Sequence, residues 1–343
     1  MDAFYMKSAN FWPRYTALKE RLRAGAYGYR NPPLFNGVRY GGFPGLVKRI
    51  ENTLLVGIPF LGSIVAIHQI TRNGVTGIDL CSFLLFYLLT GLGVALGLHR
   101  YFSHKSFETT AAIAFLLGAF GSMSFQGSIF RWVIDHRRHH AHTDEFGDVH
   151  SPHVNPWGDV KNGISGLLYA HVGWLFDSTT TDAQIYGAGL QQDKLVMFFT
   201  RTHWLWPAAS LALPWGFGYL LGGPEAALSS MLIGGCLRTT VLHNVIWSVN
   251  SIGHRFGSED FRHGNGSKNN LTIALLTFGD GWHNNHHCFP RSAFHGMTER
   301  EIDINGWLIA RMEKMGMAWD VIRIAEKRIV DARTSQAGEF KHA

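Results

Sequence analysis

Charged residues are scarce in this chain of 343 residues, at 16%, whereas aromatic residues reach 13%. A typical soluble domain has about 25% charged residues, so this balance favours a lipid environment. Cysteine is also rare: Cys81, Cys236 and Cys288 are far apart and form no CxxC motif. This spacing argues against a disulfide framework and against a cysteine-held zinc or iron–sulfur site.

The N-terminus lacks the uncharged apolar core of a cleavable signal peptide, because Arg14, Lys19, Arg21 and Arg23 interrupt it. Membrane insertion is therefore expected to use internal apolar segments. Residues 1–50 carry nine Lys or Arg against two acidic residues, which predicts a basic cytoplasmic flank before the first span. Because the excess charge is confined to this segment, no nucleic acid partner is expected.

Four apolar stretches are long enough to cross a hydrocarbon core as helices of about 27 to 33 Å. They cover residues 53–70, 80–98, 203–221 and 226–247. Short turns separate the members of each successive pair, so the pattern predicts two hairpins whose ends lie on one side. With a cytoplasmic N-terminus, the segments 99–202 and 248–343 are also expected to be cytoplasmic.

This pattern predicts an all-α integral membrane protein with one domain over residues 51–330 and a tail over 331–343. A fifth apolar run, 111–130, contains several glycines and is expected to be embedded or interfacial rather than spanning. The glycine stripe at 91, 93 and 97 indicates close helix packing. Alternating apolar and charged residues over 298–332 predict one or two amphipathic helices.

The nineteen histidines are grouped rather than scattered. The groups are His99 with His104; His136, His139 and His140; His283, His286 and His287; and Asn250 with His254. On a helix, residues at i, i+3 and i+4 fall within about 100 degrees of arc, so each HxxHH motif presents one face. Residues five apart, such as His99 and His104, are rotated by about 140 degrees on an ideal α-helix. At least one of those two is therefore expected beyond the end of the second span.

Nine neutral imidazoles exceed the needs of one tetrahedral zinc and suit two five- or six-coordinate ions. Iron is the expected metal, although imidazole also suits zinc, copper and nickel. Metal-bound imidazoles need acceptors for their second ring nitrogen. Five carboxylates are candidates for that role: Asp135, Asp144, Asp148, Asp280 and Glu259. The plain alternative is a set of surface histidines that titrate near neutral pH.

Five motifs carry a family resemblance. They are GLHRYFSHKSF at 97–107, DHRRHHAHTD at 135–144, HVGW at 171–174, NSIGHRFG at 250–257 and GDGWHNNHHCFP at 279–290. Over residues 50–325 the chain resembles the membrane-bound fatty-acid desaturases of the stearoyl-CoA desaturase-like group. The resemblance implies a mushroom-shaped fold, with four spans below a cytoplasmic helical cap that holds a dimetal site.

The resemblance also implies the site. It assigns His99, His104, His136, His139, His140, His254, His283, His286 and His287 as ligands of two Fe²⁺ ions, with Asn250 acting through water. Dioxygen is the implied co-substrate, and the implied product is a cis double bond at the delta-9 position of a long acyl chain. The substrate is expected to be a fatty acyl thioester or acyl lipid, reached from the cell inner (cytoplasmic) membrane.

Electrons are expected from outside, because the sequence has no cysteine pair for rubredoxin-type or iron–sulfur chemistry. A ferredoxin, rubredoxin or cytochrome with its reductase is the implied partner. A hydroxylase or acetylenase on the same scaffold is the nearest alternative. A zinc metallohydrolase and a structural or transport protein are the alternatives from other classes. The acyl carrier, chain length and oligomeric state stay open.

Overall fold

A computed structural model describes residues 33–35 and 37–339 of the chain. Most of the basic N-terminal segment therefore lies outside the described residues, as do residues 340–343. The α-helices, in chain order, are α1 (Gly42–Asn73), α2 (Gly77–Leu92), α3 (Ala111–Ser122), α4 (Ile129–Ala141), α5 (Gly163–His171), α6 (Ala183–Tyr186), α7 (Lys194–Arg201), α8 (Leu205–Ser230), α9 (Arg238–Ser251), α10 (Leu271–Leu276), α11 (His283–Cys288), α12 (Ile304–Lys314) and α13 (Glu326–Glu339).

Two π-helical segments extend α2 and join α8 to α9: Gly93–Ser103 and Met231–Leu237. Among the described residues, three helical segments are long and apolar enough to cross a membrane. These helices are Gly42–Asn73, Gly77–Ser103 and Leu205–His254. The first two contain the predicted spans 53–70 and 80–98. The third contains 226–247 and all of 203–221 except positions 203 and 204.

The third long helix is broken at Gly223, whose φ of 76° and ψ of −165° are not helical. The chain reverses there, because residues on the two sides pack against each other. A Cβ atom at Gly218 would lie 2.2 Å from the Ala226 carbonyl oxygen, and Arg238 Nη2 donates to Ser210 Oγ at 2.7 Å. Leu205–His254 is therefore a helical hairpin.

The two hairpin turns resemble each other and lie at the same end of the bundle. Gly74, which ends α1, has the same φ of 76° and ψ of −165° as Gly223. A Cβ atom at Gly222 would lie 2.9 Å from the Ile78 side chain at the start of α2. In both turns glycine supplies a positive φ that other residues adopt only at a cost. This shared position places the free ends of both hairpins together at the opposite end.

The predicted close packing of the glycine stripe is confirmed. A Cβ atom at Gly93 would lie 2.3 Å from the backbone of Phe120 and Gly121, and one at Gly97 would lie 2.8 Å from the Leu117 carbonyl oxygen. The helix α3 therefore packs directly against the π-helical end of α2. The run 111–130, predicted to be embedded or interfacial, forms α3 and the first turn of α4. With 12 residues, α3 is too short to span a bilayer.

The fold is mainly helical, but it also contains short strands that the prediction of an all-α protein missed. Among the described residues, β1 (Pro33–Phe35), β2 (Val38–Tyr40) and β4 (Thr179–Thr181) form one antiparallel sheet, and β3 (Glu108–Thr109) pairs with β5 (Ala318–Trp319). Each strand has only two or three residues, too few for a periodic signal in the sequence. The first sheet joins the chain before α1 to the segment between α5 and α6. The second joins the chain before α3 to the segment after α12.

Two helices, α12 and α13, occupy the C-terminal region where one or two amphipathic helices were predicted, and α12 buries Ile309 among its polar neighbours. The second of them continues through position 331, where the sequence pattern placed the start of a tail. The histidine-bearing region has its own apolar core, centred on Leu98, Phe102, Val133 and Phe199. This core fixes the end of the second long helix against α4 and α7, and so positions two of the four histidine groups.

Candidate metal centre

The predicted histidines come from four separate parts of the fold. His99 lies in the π-helical end of α2, and His104 follows its last residue. The first HxxHH motif occupies the last turns of α4, and the second occupies α11. His254 ends the short 3₁₀ turn after α9. These elements converge at the free ends of the hairpins.

The π-helix changes the expected relation between His99 and His104. An ideal α-helix would rotate them apart, but the His104 amide donates to the His99 carbonyl at 3.2 Å, an i→i+5 bond. The wider π turn brings residues five apart one above the other. Their rings are 5.0 Å apart as a result. The prediction that one of them lies beyond the helix end is confirmed by His104.

Five histidines form a first group, in which the Nε2 atoms face a common point. The members of the first group are His99, His104, His136, His140 and His286. Neighbouring Nε2 atoms are separated by 2.6 Å (His104 to His136), 2.9 Å (His286 to His140), 3.0 Å (His99 to His286) and 3.1 Å (His140 to His136). The other four predicted histidines form a second group.

The second group consists of His139, His254, His283 and His287. Its Nε2 atoms are also turned inward, at 2.9 Å from His254 to His283, 3.0 Å from His287 to His283 and 3.2 Å from His139 to His287. The two groups adjoin, since the rings of His140 and His287 stack with centroids 4.6 Å apart. All nine predicted histidines are thus brought together in two neighbouring groups.

Hydrogen bonds among imidazoles cannot explain this arrangement. His99, His139 and His254 each direct Nδ1 at a carboxylate, at 2.8 to 2.9 Å. A neutral imidazole whose Nδ1–H donates in this way presents a lone pair at Nε2. Each Nε2 atom carries either one hydrogen or one lone pair, so it forms at most one hydrogen bond. However, the Nε2 atoms of His136, His283 and His286 each lie within 3.1 Å of two other imidazole nitrogens. The lone pairs that must then face each other repel unless a cation lies between them. The donor set therefore fits a metal ion in each group.

Three of the five candidate carboxylates support the histidines. Asp280 accepts from His99, Asp148 from His139 and Asp144 from His254. The other two do not: Asp135 accepts from the Thr181 hydroxyl, and Glu259 pairs with Lys268. A carboxylate behind an imidazole fixes its tautomer and raises its basicity.

Asp280 belongs to a larger buried network that the sequence did not reveal. The Arg100 guanidinium is fully buried and donates to both oxygens of Asp303, at 2.8 and 3.0 Å. Arg100 Nη2 also lies 3.4 Å from Asp280 Oδ1, and His295 Nδ1 lies 3.2 Å from the same oxygen. The position of Arg100 directly after His99 is a sequence signal that Arg100 lies near the site. No feature of the sequence around Asp303 indicates its contact with Arg100.

Burial sets the protonation of the centre before any metal binds. It lowers the pKa of His104, His136, His139, His140, His283, His286 and His287 well below 6.5, and neighbouring histidines lower it further. These imidazoles are therefore neutral at pH 7, the form that binds metal. Burial and the neighbouring Asp144 carboxylate raise the pKa of Asp148 to about 7. Burial opposes ionisation of Asp280, but His99 and His295 hold the pKa of its carboxyl well below the usual range.

Asn250 lies beside the centre rather than within either group. It lines a cavity of about 720 Å³, partly open to solvent, together with Leu55, Trp132, His136 and Trp247. A second cavity of about 410 Å³ shares Trp132, His136 and Asn250 and reaches His99 and His283. The space beside the histidines therefore continues away from them between the long helices. Phe125 and Gln126, from the predicted embedded run, also line it.

The remaining histidines mostly have other partners. His142 contacts the Tyr186 hydroxyl, His171 contacts Ser251 and Asn244, and His243 contacts the Ser124 carbonyl oxygen. His150 differs from these, since its ring lies 4.3 Å from that of His139 and it lines both cavities. His150 and His295 are thus buried residues of the site whose roles the sequence left undecided.

Comparison with known proteins connects this geometry to one family. The family model described as "Fatty acid desaturase" matches residues 80–299, the part of the chain that carries every histidine of the two groups. An acetylenase of Moorena producens, described as "Hex-5-enoyl-[acyl-carrier protein] acetylenase", is 34% identical over 278 residues, which are 80% of this chain and 86% of that protein.

Two further relatives act on other acyl carriers according to their names. The sn-1 stearoyl-lipid 9-desaturase of Anabaena variabilis is 31% identical over 247 residues, which are 71% of this chain and 84% of that protein. Stearoyl-CoA desaturase 5 of Bos taurus is 31% identical over 265 residues, which are 74% of this chain and 73% of that protein. The three relatives have similar identity to this chain and differ in the acyl carrier that their names give.

Proposed function

The chain belongs to the fatty acid desaturase family and is an oxidoreductase that acts on fatty acyl chains, and from this premise we propose its reaction. The proposed reaction introduces a cis double bond, at the delta-9 position, into a long-chain acyl group. It uses dioxygen, two histidine-held iron ions and electrons from another protein. The single observation that carries this proposal is the convergence of nine imidazoles on two adjacent points beside a cavity.

The proposed ligands are the five histidines of the first group and the four of the second, with Asn250 acting through water. Iron bound there would supply the oxidative chemistry that removes one hydrogen from each of two adjacent methylenes. The protein supplies position and a dry environment. Carboxylates Asp144, Asp148 and Asp280 hold three imidazoles with Nε2 free and aimed inward.

The cavity beside the histidines is the proposed acyl site. Its apolar wall includes Leu55, Val56 and Ile246, and Trp132 stacks on His136 with ring centroids 5.0 Å apart. Such a wall would hold the methylene chain in one orientation, so that one pair of carbons faces the metal ions. The depth of the cavity would then decide the double-bond position.

The membrane arrangement follows from the hairpins. We propose four crossings, two in Leu205–His254, with residues 51–330 working as one unit and the histidines facing the cytoplasm. The helices are suited to a membrane, and both hairpin turns lie at the end away from the histidines. The cell inner membrane is the proposed location, and a ferredoxin, rubredoxin or cytochrome is the proposed electron donor.

Expression in a host that makes no unsaturated fatty acids tests the proposal. Gas chromatography with mass spectrometry of the host lipids should show a cis monoene, two mass units lighter than its saturated precursor and unsaturated at carbon nine. The His286→Ala variant is the inactive control. A host that stays without monoenes while the wild-type protein is present with bound iron would contradict the proposal.

An acetylenase is the second candidate, because the Moorena producens relative bears that name at 34% identity. Feeding saturated and monounsaturated acyl chains separately distinguishes the two. A desaturase converts the saturated chain to a monoene, whereas an acetylenase converts the monoene to an alkyne. A hydroxylase would add one oxygen to either substrate.

A further inference from the structure

The two histidine groups have different electrostatic surroundings. Each is supported by carboxylates, and carboxylates behind metal-bound imidazoles make them better donors. The strength of that effect depends on how much of the carboxylate charge is shared with other groups. This sharing differs between the two groups, because among the described residues only the carboxylate of the first group is paired with an arginine.

In the first group, a single carboxylate supports one of five histidines. Asp280 Oδ2 accepts from His99, while Asp280 Oδ1 faces both Arg100 and His295. Arg100 would withdraw charge from Asp280 if it had no other partner. Asp303 is that partner: it binds the guanidinium through both of its oxygens, in the bidentate geometry that makes such pairs strong.

Asp303 is itself rigidly held. Its oxygens also accept from the backbone amides of His295 at 2.7 Å and Gly306 at 3.0 Å. The side chain fills the space at Gly279, where a Cβ atom would lie 2.1 Å from Asp303 Oδ1. Asp303 therefore fixes Arg100 beside Asp280, and it does so from the chain that leads into α12, outside every histidine motif.

In the second group, two carboxylates support two of four histidines. Asp148 accepts from His139 and Asp144 from His254, both at 2.8 Å. Within the part of the chain that the structure describes, no lysine or arginine lies within ion-pair distance of either carboxylate. Their further partners are neutral, including the Ser151 hydroxyl and the Gly266 amide on Asp144.

We infer that Asp303 is a positioning residue for the first metal position, acting through Arg100 and Asp280 on His99, and that the two positions bind a divalent metal with unequal affinity. The second position, with more carboxylate support per histidine and no arginine paired with its carboxylates among the described residues, is the tighter. The inference rests on the proposed function only in requiring that both groups hold metal.

Titration of the metal-free, full-length protein in detergent with Co²⁺ tests this inference, since the visible absorption of cobalt reports its ligands. The wild type should bind in two steps. His286→Ala should remove the weaker step and His283→Ala the tighter one, which assigns each step to a group. Asp303→Asn should weaken only the weaker step, by about tenfold, and Asp148→Asn only the tighter step, by a similar factor.

The matched control is Asp182→Asn. Asp182 is another buried aspartate paired with an arginine, Arg39, but it contacts no histidine of either group. This variant should leave both steps unchanged. Asp303→Glu, which keeps the charge, should recover part of the affinity that Asp303→Asn loses.

Two equal binding steps in the wild type would overturn the inference, as would an Asp303→Asn variant that weakens both steps or neither. If Asp303→Asn fails to fold, the wild type and Asp148→Asn still decide whether the positions are unequal. Cobalt binding requires neither oxygen nor acyl substrate. Unequal cobalt-binding steps in a protein that makes no monoene would therefore support the inference and contradict the proposed function. Equal binding steps in an enzyme that makes the monoene would contradict the inference and support the proposed function.

Discussion

The stem and the cap bury opposite kinds of side chain. The stem, formed by α1, α2 and the hairpin Leu205–His254, exposes large apolar residues such as Leu61 at 63% and Leu220 at 84%, and buries Ser82, Thr90 and Ser210. The cap, which holds both histidine groups, buries histidines, carboxylates and asparagines. An apolar surface suits the proposed lipid surroundings of the stem, whereas the polar interior of the cap suits the proposed metal centre.

The two regions also stabilise their buried polar groups differently. In the stem, Arg238 is fully buried and donates to the neutral oxygens of Thr90, Ser210 and Gly234. In the cap, imidazoles pair with carboxylates and are arranged around two points that fit cations. The stem should therefore keep its shape without metal and over a wide pH range, while the cap should depend on both.

The largest difference between cap and stem should appear when one inward-facing histidine of the cap is removed, because activity and metal content should both be lost. We expect His286→Ala or His283→Ala to abolish desaturation and to remove one metal ion per chain, while the helical content stays unchanged. Metal analysis and product chromatography measure these effects. His68→Ala, at an exposed position near the end of α1, is the control and should retain full activity. An active His286→Ala variant would show that the first group does not hold the working metal.

Gly93→Ala should transmit a defect of the stem into the cap. Its new Cβ atom would lie 2.3 Å from the backbone of Phe120 and Gly121, which cannot move as a flexible side chain can. The cost should be about 3 kcal/mol, near the upper end of the usual range for overpacking, because α3 must separate from the π-helical segment that carries His99. Thermal unfolding in detergent and metal content should both decrease.

Gly57→Ala is the matched control, since a Cβ atom at Gly57 meets nothing within 4 Å. This variant should retain wild-type stability and metal content. If Gly93→Ala behaved like Gly57→Ala, the close contact between α3 and the stem would be disproved.

Acid should weaken the metal-free cap more than the stem. Seven cap histidines have pKa values well below 6.5 in the folded protein, chiefly because of burial. Below about pH 6.5 the unfolded chain binds more protons than the folded one, so stability falls as pH falls. Two groups act in the opposite direction: the pKa of Asp148 is raised to about 7, and the pKa of His254 is raised because the Asp144 carboxylate outweighs the effect of burial. They are outnumbered by the seven histidines.

Hydrogen–deuterium exchange read by mass spectrometry reports the cap and the stem separately in this experiment, through peptides from each region. Bound metal should move the acid transition to lower pH, because it keeps the imidazoles neutral. A cap that lost stability above pH 7 instead would contradict the assigned direction.

Ser210→Ala should have the smallest effect. It removes the hydroxyl that accepts from Arg238 Nη2 at 2.7 Å, while Thr90 and Gly234 still accept from the same guanidinium. Hydrogen bonds between membrane helices contribute about 0.6 kcal/mol on average, so the melting temperature should fall only slightly. Metal content should not change. A loss of metal in this variant would show that the stem and the cap are more tightly coupled than their contacts indicate.

The sequence predicted the histidines of the two groups better than it predicted the residues that hold those histidines in place. The HxxHH spacings and the Asn250–His254 pair identified residues that the structure brings to one place, because helical periodicity relates sequence to a shared face. The same periodicity correctly placed His104 beyond the end of the second span, but it gave no sign of the π-helix that brings His104 next to His99. The short strands β1 to β5 were missed because two or three residues are too few to show a period, and because β2–β4 and β3–β5 pair segments that are distant in sequence.

The sequence by itself determined which parts of the chain are apolar enough for lipid and which histidines can share a helix face. Both are local properties, set by composition and by the fixed geometry of one helix. Only the tertiary structure decided how nine histidines divide into groups of five and four, and which carboxylates support them. It also placed Asp303 behind Arg100 and Asp280, some 200 residues away from His99, because packing between distant segments has no local signal in the sequence.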